Sequence, residues 1–226
     1  MLVVMNRTLK VALALSLTLA SRTAAAQGMF LDPGQNGLGV NATVASNDSA
    51  TTLSLGGAYS FNAFIDAGLL LNRYGFSGTG TTDVSAIGVQ PFVTVHALRQ
   101  SDTMPVSLAG TANFQKMFFS IDPNPANVSM SAWTMFLGGV AYRRFALVDA
   151  FSVTPAGTLG WNYTHATTSL GPYGGGSSGD GTFWVQLAGN FGYRDHGGHT
   201  WVGTPFLIFD EDRATFGLSF GGVFPL

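Results

Sequence analysis

Over residues 151–165 the chain alternates from one position to the next. Phe151, Val153, Pro155, Leu159, Trp161 and Tyr163 fall on one face, and Ser152, Thr154, Ala156, Thr158, Gly160, Asn162 and Thr164 on the other. A period of two is the repeat of a β-strand with one face in an apolar medium. The pattern recurs. Phe183, Val185, Leu187, Phe191 and Tyr193 oppose Thr182, Gln186, Ala188, Asn190 and Arg194, with Trp184 interrupting the polar side. Val106, Leu108, Ala112 and Phe114 oppose Ser107, Thr111 and Asn113, and Phe216, Leu218, Phe220 and Phe224 oppose Thr215, Gly217, Ser219 and Gly221. Ten segments read this way: 37–46, 51–61, 63–75, 83–99, 105–120, 130–144, 151–165, 181–194, 200–209 and 213–225. No helical period is sustained. The segments 130–144 and 200–209 alternate poorly, so eight strands is the alternative to ten. An even number returns both ends of the chain to one side.

Which face meets water is decided by charge. Only 10% of the 226 residues are charged, against about 25% in an average soluble domain. The first 26 residues are set apart: Arg7 and Lys10 precede the short apolar run of residues 11–20, and Ala24, Ala25 and Ala26 follow. That is the layout of a cleaved secretory signal, too short to span a bilayer. It takes Arg22 with it, leaving seven of the ten basic residues against twelve acidic ones, with a single lysine, Lys116, and a single glutamate, Glu211. A soluble barrel needs charge along its outer wall, and this chain has too little. A transmembrane barrel needs an apolar outer wall, a polar interior and charges near the rims. Arg99, Asp102, Arg143, Arg144, Asp149, Arg194, Asp195, Asp210 and Arg213 all fall at segment ends, and Asp66 is the plainest exception. The near balance of acid and base excludes a nucleic-acid partner. The absence of cysteine excludes disulfides, thiolate metal sites and an acylated N-terminal cysteine.

The expected fold is therefore all-β: a closed, antiparallel, up-and-down transmembrane β-barrel of about ten strands over residues 37–226. A periplasmic segment, 27–36, precedes it. Phe151, Val153, Leu159, Phe183, Val185, Leu187, Phe216, Leu218 and Phe220 are expected to face lipid. Ser152, Thr154, Thr158, Asn162, Gln186, Asn190 and Ser219 are expected to face the lumen. The lumen should be lined by small polar residues and hold some water, narrowed locally by Trp184, Gln90 and Phe92, with segment 27–36 entering from the periplasmic end. Tyr59 and Phe61 are placed at one rim, and Trp161, Tyr163, Phe118 and Phe119 near the other, as interfacial aromatics. Pro91, Pro155 and Pro205 fall within segments, where each removes a ladder donor; a misplaced boundary is the expectation for Pro155. The longer connections, 77–82, 122–129 and 166–180, are rich in Gly, Ser, Thr and Asn and are read as loops.

Local phrases carry a family resemblance. Gly56-Gly57-Ala58-Tyr59-Ser60-Phe61-Asn62 resembles a strand running into a periplasmic turn, and Val153-Thr154-Pro155-Ala156-Gly157-Thr158-Leu159-Gly160 resembles a strand opening in which Ala156 replaces the usual aromatic. The last segment, with Leu218, Phe220 and Phe224, resembles the signal read by the barrel-assembly machinery, but ends in Pro225-Leu226 instead of an aromatic. Together these resemble the small outer-membrane β-barrel proteins of Gram-negative bacteria, the OmpA/OmpX/OmpW-like group. The resemblance implies a multi-pass barrel in the bacterial outer membrane. Its implied partners are outer-membrane lipid, lipopolysaccharide and the assembly machinery; it implies no shared activity.

The residues that could carry chemistry are few. The Gly-rich run 174–181 is not followed by a lysine and helix, so it reads as a loop, not a phosphate cradle. Asp195, His196 and His199 have metal-like spacing but no further ligand in view, and read as a solvated turn. Asp210, Glu211 and Asp212 could hold a divalent cation beside lipopolysaccharide phosphates, or form a solvated acidic loop. His96 and His165 are the histidines on strands; alternation places His165 on the lipid side, away from a lumenal triad. No catalytic, cofactor or metal residue is therefore assigned, and no cofactor is expected. The expected role is structural or surface-interacting. A porin-like narrow channel or carrier for small solutes is the alternative, and a lipid-modifying or proteolytic enzyme is disfavoured.

Overall fold

A computed structural model describes residues 28–76, 83–122, 128–169, 174–210 and 213–226. The expected signal, residue 27, loop 77–82, and Glu211 and Asp212 lie outside the described residues. Among the described residues eleven strands form: β1 (Gly37–Ser46), β2 (Ala50–Phe61), β3 (Ile65–Phe76), β4 (Asp83–Leu98), β5 (Ser107–Asp122), β6 (Ser129–Tyr142), β7 (Phe145–Val148), β8 (Phe151–Ser169), β9 (Gly175–Arg194), β10 (Thr200–Asp210) and β11 (Arg213–Pro225). Each long strand pairs antiparallel with its neighbour, β6 pairs with β8, and β1 pairs with β11 from Gly37↔Pro225 to Ser46↔Phe216. The sheet thus closes into a ten-stranded barrel. β7, which alternation does not reveal, is a four-residue strip against β8. Residue 28 and the carboxyl end lie at the same end, here termed lower, where the amide of Leu226 donates to the carbonyl of Asn36 at 3.0 Å.

The two faces are those read from alternation. Leu159, Phe183, Leu187 and Phe216 point outward and are exposed, while Ser152, Thr154, Asn162, Gln186, Asn190 and Ser219 point inward and are buried. Phe119 departs from expectation: it faces inward and stacks on Phe76, with centroids 6.1 Å apart.

The Gly-rich run is also not the loop it resembles. Residues 175–181 form the upper part of β9, paired in register with β8 from Tyr163↔Gly181 to Ser169↔Gly175. Aromatic side chains explain the glycines. A Cβ at Gly181 would stand 3.0 Å from the indole nitrogen of Trp161, and one at Gly179 would overlap the hydroxyl of Tyr163. Glycine leaves room for both rings to lie across the neighbouring strand.

All three prolines remain inside strands. The amide of Arg143 donates to the carbonyl of Pro155 just beyond the last β6–β8 pair, which is the half of the exchange a proline can still make. Opposite Pro91 and Pro205 the β4–β5 and β9–β10 ladders each skip two positions and resume in the same register.

Candidate functional site: the lumen and its lower seal

β6 and β10 alternate poorly because both of their faces are apolar. β6 turns Met130, Phe136 and Val140 inward, and β10 turns Val202, Phe206 and Ile208 inward. With Tyr74, Met117 and Trp184, the side chains of Met130, Phe136, Phe206 and Ile208 build an apolar layer across the upper lumen. The rings of Phe136 and Trp184 lie 4.8 Å apart. Several polar groups around the layer are paired. The indole of Trp184 donates to Asn162 at 3.0 Å, the amide of Asn72 donates to Gln90 at 3.0 Å, and the amide of Gln115 donates to the hydroxyl of Tyr74. Trp184, Leu70, Gln90 and Gln115 are each only 1% exposed, so no water-sized space reaches them. The upper lumen is packed at this layer, while the inward Thr111, Asn113 and Thr158 below it remain partly exposed, in keeping with the expected lining of small polar residues. Trp184 and Gln90 fill it instead of narrowing it.

The lower end is closed by the chain itself. Met29, Phe30 and Leu31 enter the barrel and pack with Ala63, Ala109, Val140, Tyr142, Val202 and Val223. Above them lies a buried polar group. His96 of β4 contacts Asp66 of β3 through Nε2 at 3.0 Å and the hydroxyl of Tyr142, on β6, through Nδ1 at 2.9 Å. The amide of Gly28 donates to the same Asp66 oxygen at 2.9 Å, and Arg99 donates to the carbonyl of Ala63. Both imidazole nitrogens are occupied by protein, so this histidine has no ring nitrogen left for a substrate. The sequence marks Asp66 and His96 separately and misses the pair. A register count would have found it. Asp66 lies opposite Thr94 in the β3–β4 ladder, so His96 is the next inward position on the partner strand.

Below the seal is a cleft of about 720 Å³ between residues 29–33 and the lower turns, lined by Arg99, Asp102, Tyr142, Arg143 and Arg144 among others. Burial holds the Arg144 guanidinium below its ordinary pKa; Asp32 opposes that shift, while Arg194 and Arg99 add to it. Arg194 reaches Asp32 at 3.4 Å.

The turn after β9 uses the residues that have metal-like spacing. One oxygen of Asp195 accepts from the amides of Gly197 and His199 at 2.9 and 3.0 Å, and the other accepts from the indole of Trp201 at 3.4 Å and lies 3.2 Å from Nδ1 of His199. His196 is exposed. No group of three potential metal ligands occurs among the described residues. His165 stands on the outer wall and stacks on Trp133, with centroids 5.6 Å apart.

No family model matches the chain, and no curated protein matches it. Solved structures do. The translocator domain of the autotransporter NalP from Neisseria meningitidis superposes with a TM-score of 0.57 over 85% of this chain and 89% of that one, at 11% identity. The fold is that of an outer-membrane β-barrel. The β-domain of the Bordetella autotransporter BrkA matches 86% of this chain and 100% of its own at 16% identity, with a TM-score of 0.48. The outer-membrane protease OmpT from Escherichia coli matches 85% of this chain and 95% of its own at 11% identity, with a TM-score of 0.40. At such identities the likeness is one of fold.

Proposed function

We propose that the protein resides in the bacterial outer membrane as a multi-pass barrel with a structural or surface-interaction role and no covalent chemistry. The observation that carries this reading is the double closure of the lumen, by the Trp184 layer above and by residues 29–31 below. An open pore would need both displaced. The outer wall supports the location. Along β8 the outward side chains run from Phe151 and Leu159, through Trp161 and Tyr163, to His165, Thr167 and Ser169. That is the order of hydrocarbon, interface and water. In this orientation the lower end faces the periplasm, and outward Phe216, Leu218 and Phe220 of β11 are offered to the assembly machinery.

The surface available for interaction is the tall side of the barrel. β10 pairs with β9 only from Trp184 downward, so residues 175–183 of β9 have no partner on that side among the described residues. Two measurements test the reading. Fractionation with heat-modifiable gel mobility should place a folded barrel in the outer membrane. Purified protein in planar bilayers should give no channel steps. Sustained conductance would replace this reading with the channel one, and a native fold soluble without detergent would remove the membrane.

A further inference from the structure

The cleft below the seal carries more positive charge than the protein itself answers. Arg99, Arg143 and Arg144 line it, together with Asp32 and Asp102. Asp32 is already held by Arg194, at 3.4 Å, and Asp102 is exposed at the rim. Arg99 donates to the carbonyl of Ala63. Arg143 stands 4.8 Å from the centre of the Phe145 ring, which attracts the charge but offers no oxygen to its N–H groups. Arg144 is partly buried. Among the described residues, neither its guanidinium nor that of Arg143 makes an ion pair or a hydrogen bond. A partly desolvated guanidinium without an acceptor is unfavourable, and an anion in the cleft would supply one.

The walls are fixed without any ligand. The amide of Arg144 donates to the side-chain oxygen of Gln100 at 2.9 Å, tying the β6–β7 turn to the β4–β5 turn. The amide of Gln100 donates in turn to Ser107 at 2.8 Å, and the amide of Arg143 to the carbonyl of Pro155 at 3.2 Å. The two guanidiniums therefore hang from a braced frame, as a preorganised site requires.

Their chemistry selects the ligand. A guanidinium fork matches the planar, two-oxygen carboxylate. Two such forks without acceptors call for two carboxylates. Much of the remaining wall is carbon, from Met29, Leu31, Pro105 and Ala146. A bare inorganic anion would leave that carbon facing water, whereas a hydrocarbon spacer between two carboxylates covers it. The volume, about 720 Å³, is that of a small-molecule site.

We infer that this cleft binds a small organic dicarboxylate. Arg143 and Arg144 take the carboxylates, and the carbon wall takes the chain between them. A ligand there touches both residues 29–33 and the lower turns, so its binding also holds the seal in place. The inference goes beyond the role proposed above and does not depend on the membrane placement.

The test is isothermal titration calorimetry of the folded protein in uncharged detergent. The probes are adipate, its neutral diamide adipamide, the monoacid hexanoate, and inorganic phosphate. Adipate should bind, adipamide should not, and hexanoate and phosphate should bind at least tenfold more weakly. Arg144→Gln should weaken adipate about tenfold, and Arg144→Lys, which keeps the charge but not the fork, should recover only part of the loss. Arg143→Gln carries the same test if Arg144→Gln does not fold. Adipate should also slow hydrogen exchange at residues 29–33, which a purely structural role for these arginines would not produce. No heat from adipate, or the same affinity in both glutamine variants, would overturn the site. Hexanoate or phosphate binding as tightly as adipate would reduce it to a simple anion site and overturn the dicarboxylate assignment.

Discussion

The amide of Gly28 donates to the carboxylate of Asp66 across 2.9 Å, tying the incoming chain to the inside of the barrel wall. A Cβ at Gly28 would lie 2.5 Å from Nε2 of His96. Gly28→Val should therefore push residues 28–31 out of register and cost about 1–3 kcal/mol. Hydrogen exchange at Met29 and Phe30 reads the displacement, and unchanged protection would contradict the seal.

Asp66 and His96 are both buried, so removing one leaves the other without its partner. His96→Ala should cost about 3–5 kcal/mol in urea unfolding from lipid. The Asp66→Ala, His96→Ala double variant should lose clearly less than the sum of the single losses. Strict additivity would show that the two are energetically independent.

Trp184→Ala would open a void in the upper lumen and leave Asn162 without the indole bond. The expected loss is about 3–5 kcal/mol. Bilayer recordings of this variant should remain silent while the lower seal is intact. Steps from Trp184→Ala alone would mean that residues 29–31 do not close the barrel.

Leu187 and Gln186 are adjacent residues on opposite faces. Leu187→Arg places a charge in lipid and should cost about 2–4 kcal/mol. Gln186→Arg is not the mild change that a roomy lumen would allow. Gln186 is 4% exposed, so the larger side chain overpacks the interior at about 1–3 kcal/mol. A neutral Gln186→Arg in the same unfolding assay would argue for free space in the lumen.

The Asp195 turn predicts a pH effect. Desolvation pushes its carboxyl up, but the bonds from the His199 side chain and amide, the Trp201 indole and the Gly197 amide outweigh it and hold the pKa below its ordinary value. Such a group stabilises the fold above the ordinary carboxylate pKa, and the contribution disappears as pH falls through the lowered folded value. Asp195→Asn should flatten that acid-range slope. An unchanged slope would remove Asp195 as its source.

The strands and their faces were legible because lipid and lumen impose opposite demands on alternate residues. Where the demand was the same on both sides, alternation faded. Phe136 and Phe206 are as apolar as the lipid-facing residues beside them, because both belong to the buried apolar layer around Trp184. Gly179 and Gly181 read as a loop because glycine lacks a side chain to alternate; the rings that need the space belong to β8. Asp66 and His96 stood out singly. Their meeting depended on the β3–β4 register, and Tyr142 came to them through the registers of β4 with β5 and β5 with β6.

The pairing of β1 with β11 sets a condition on biogenesis. The first strand to leave the ribosome finds its second neighbour only when the last has been made, since Gly37 must wait for Pro225. Until then both end strands carry open rows of amides and carbonyls, and the apolar wall has no lipid to meet. The seam between the chain's two ends is therefore the most non-local pairing of the sheet and carries the largest loop-closure cost.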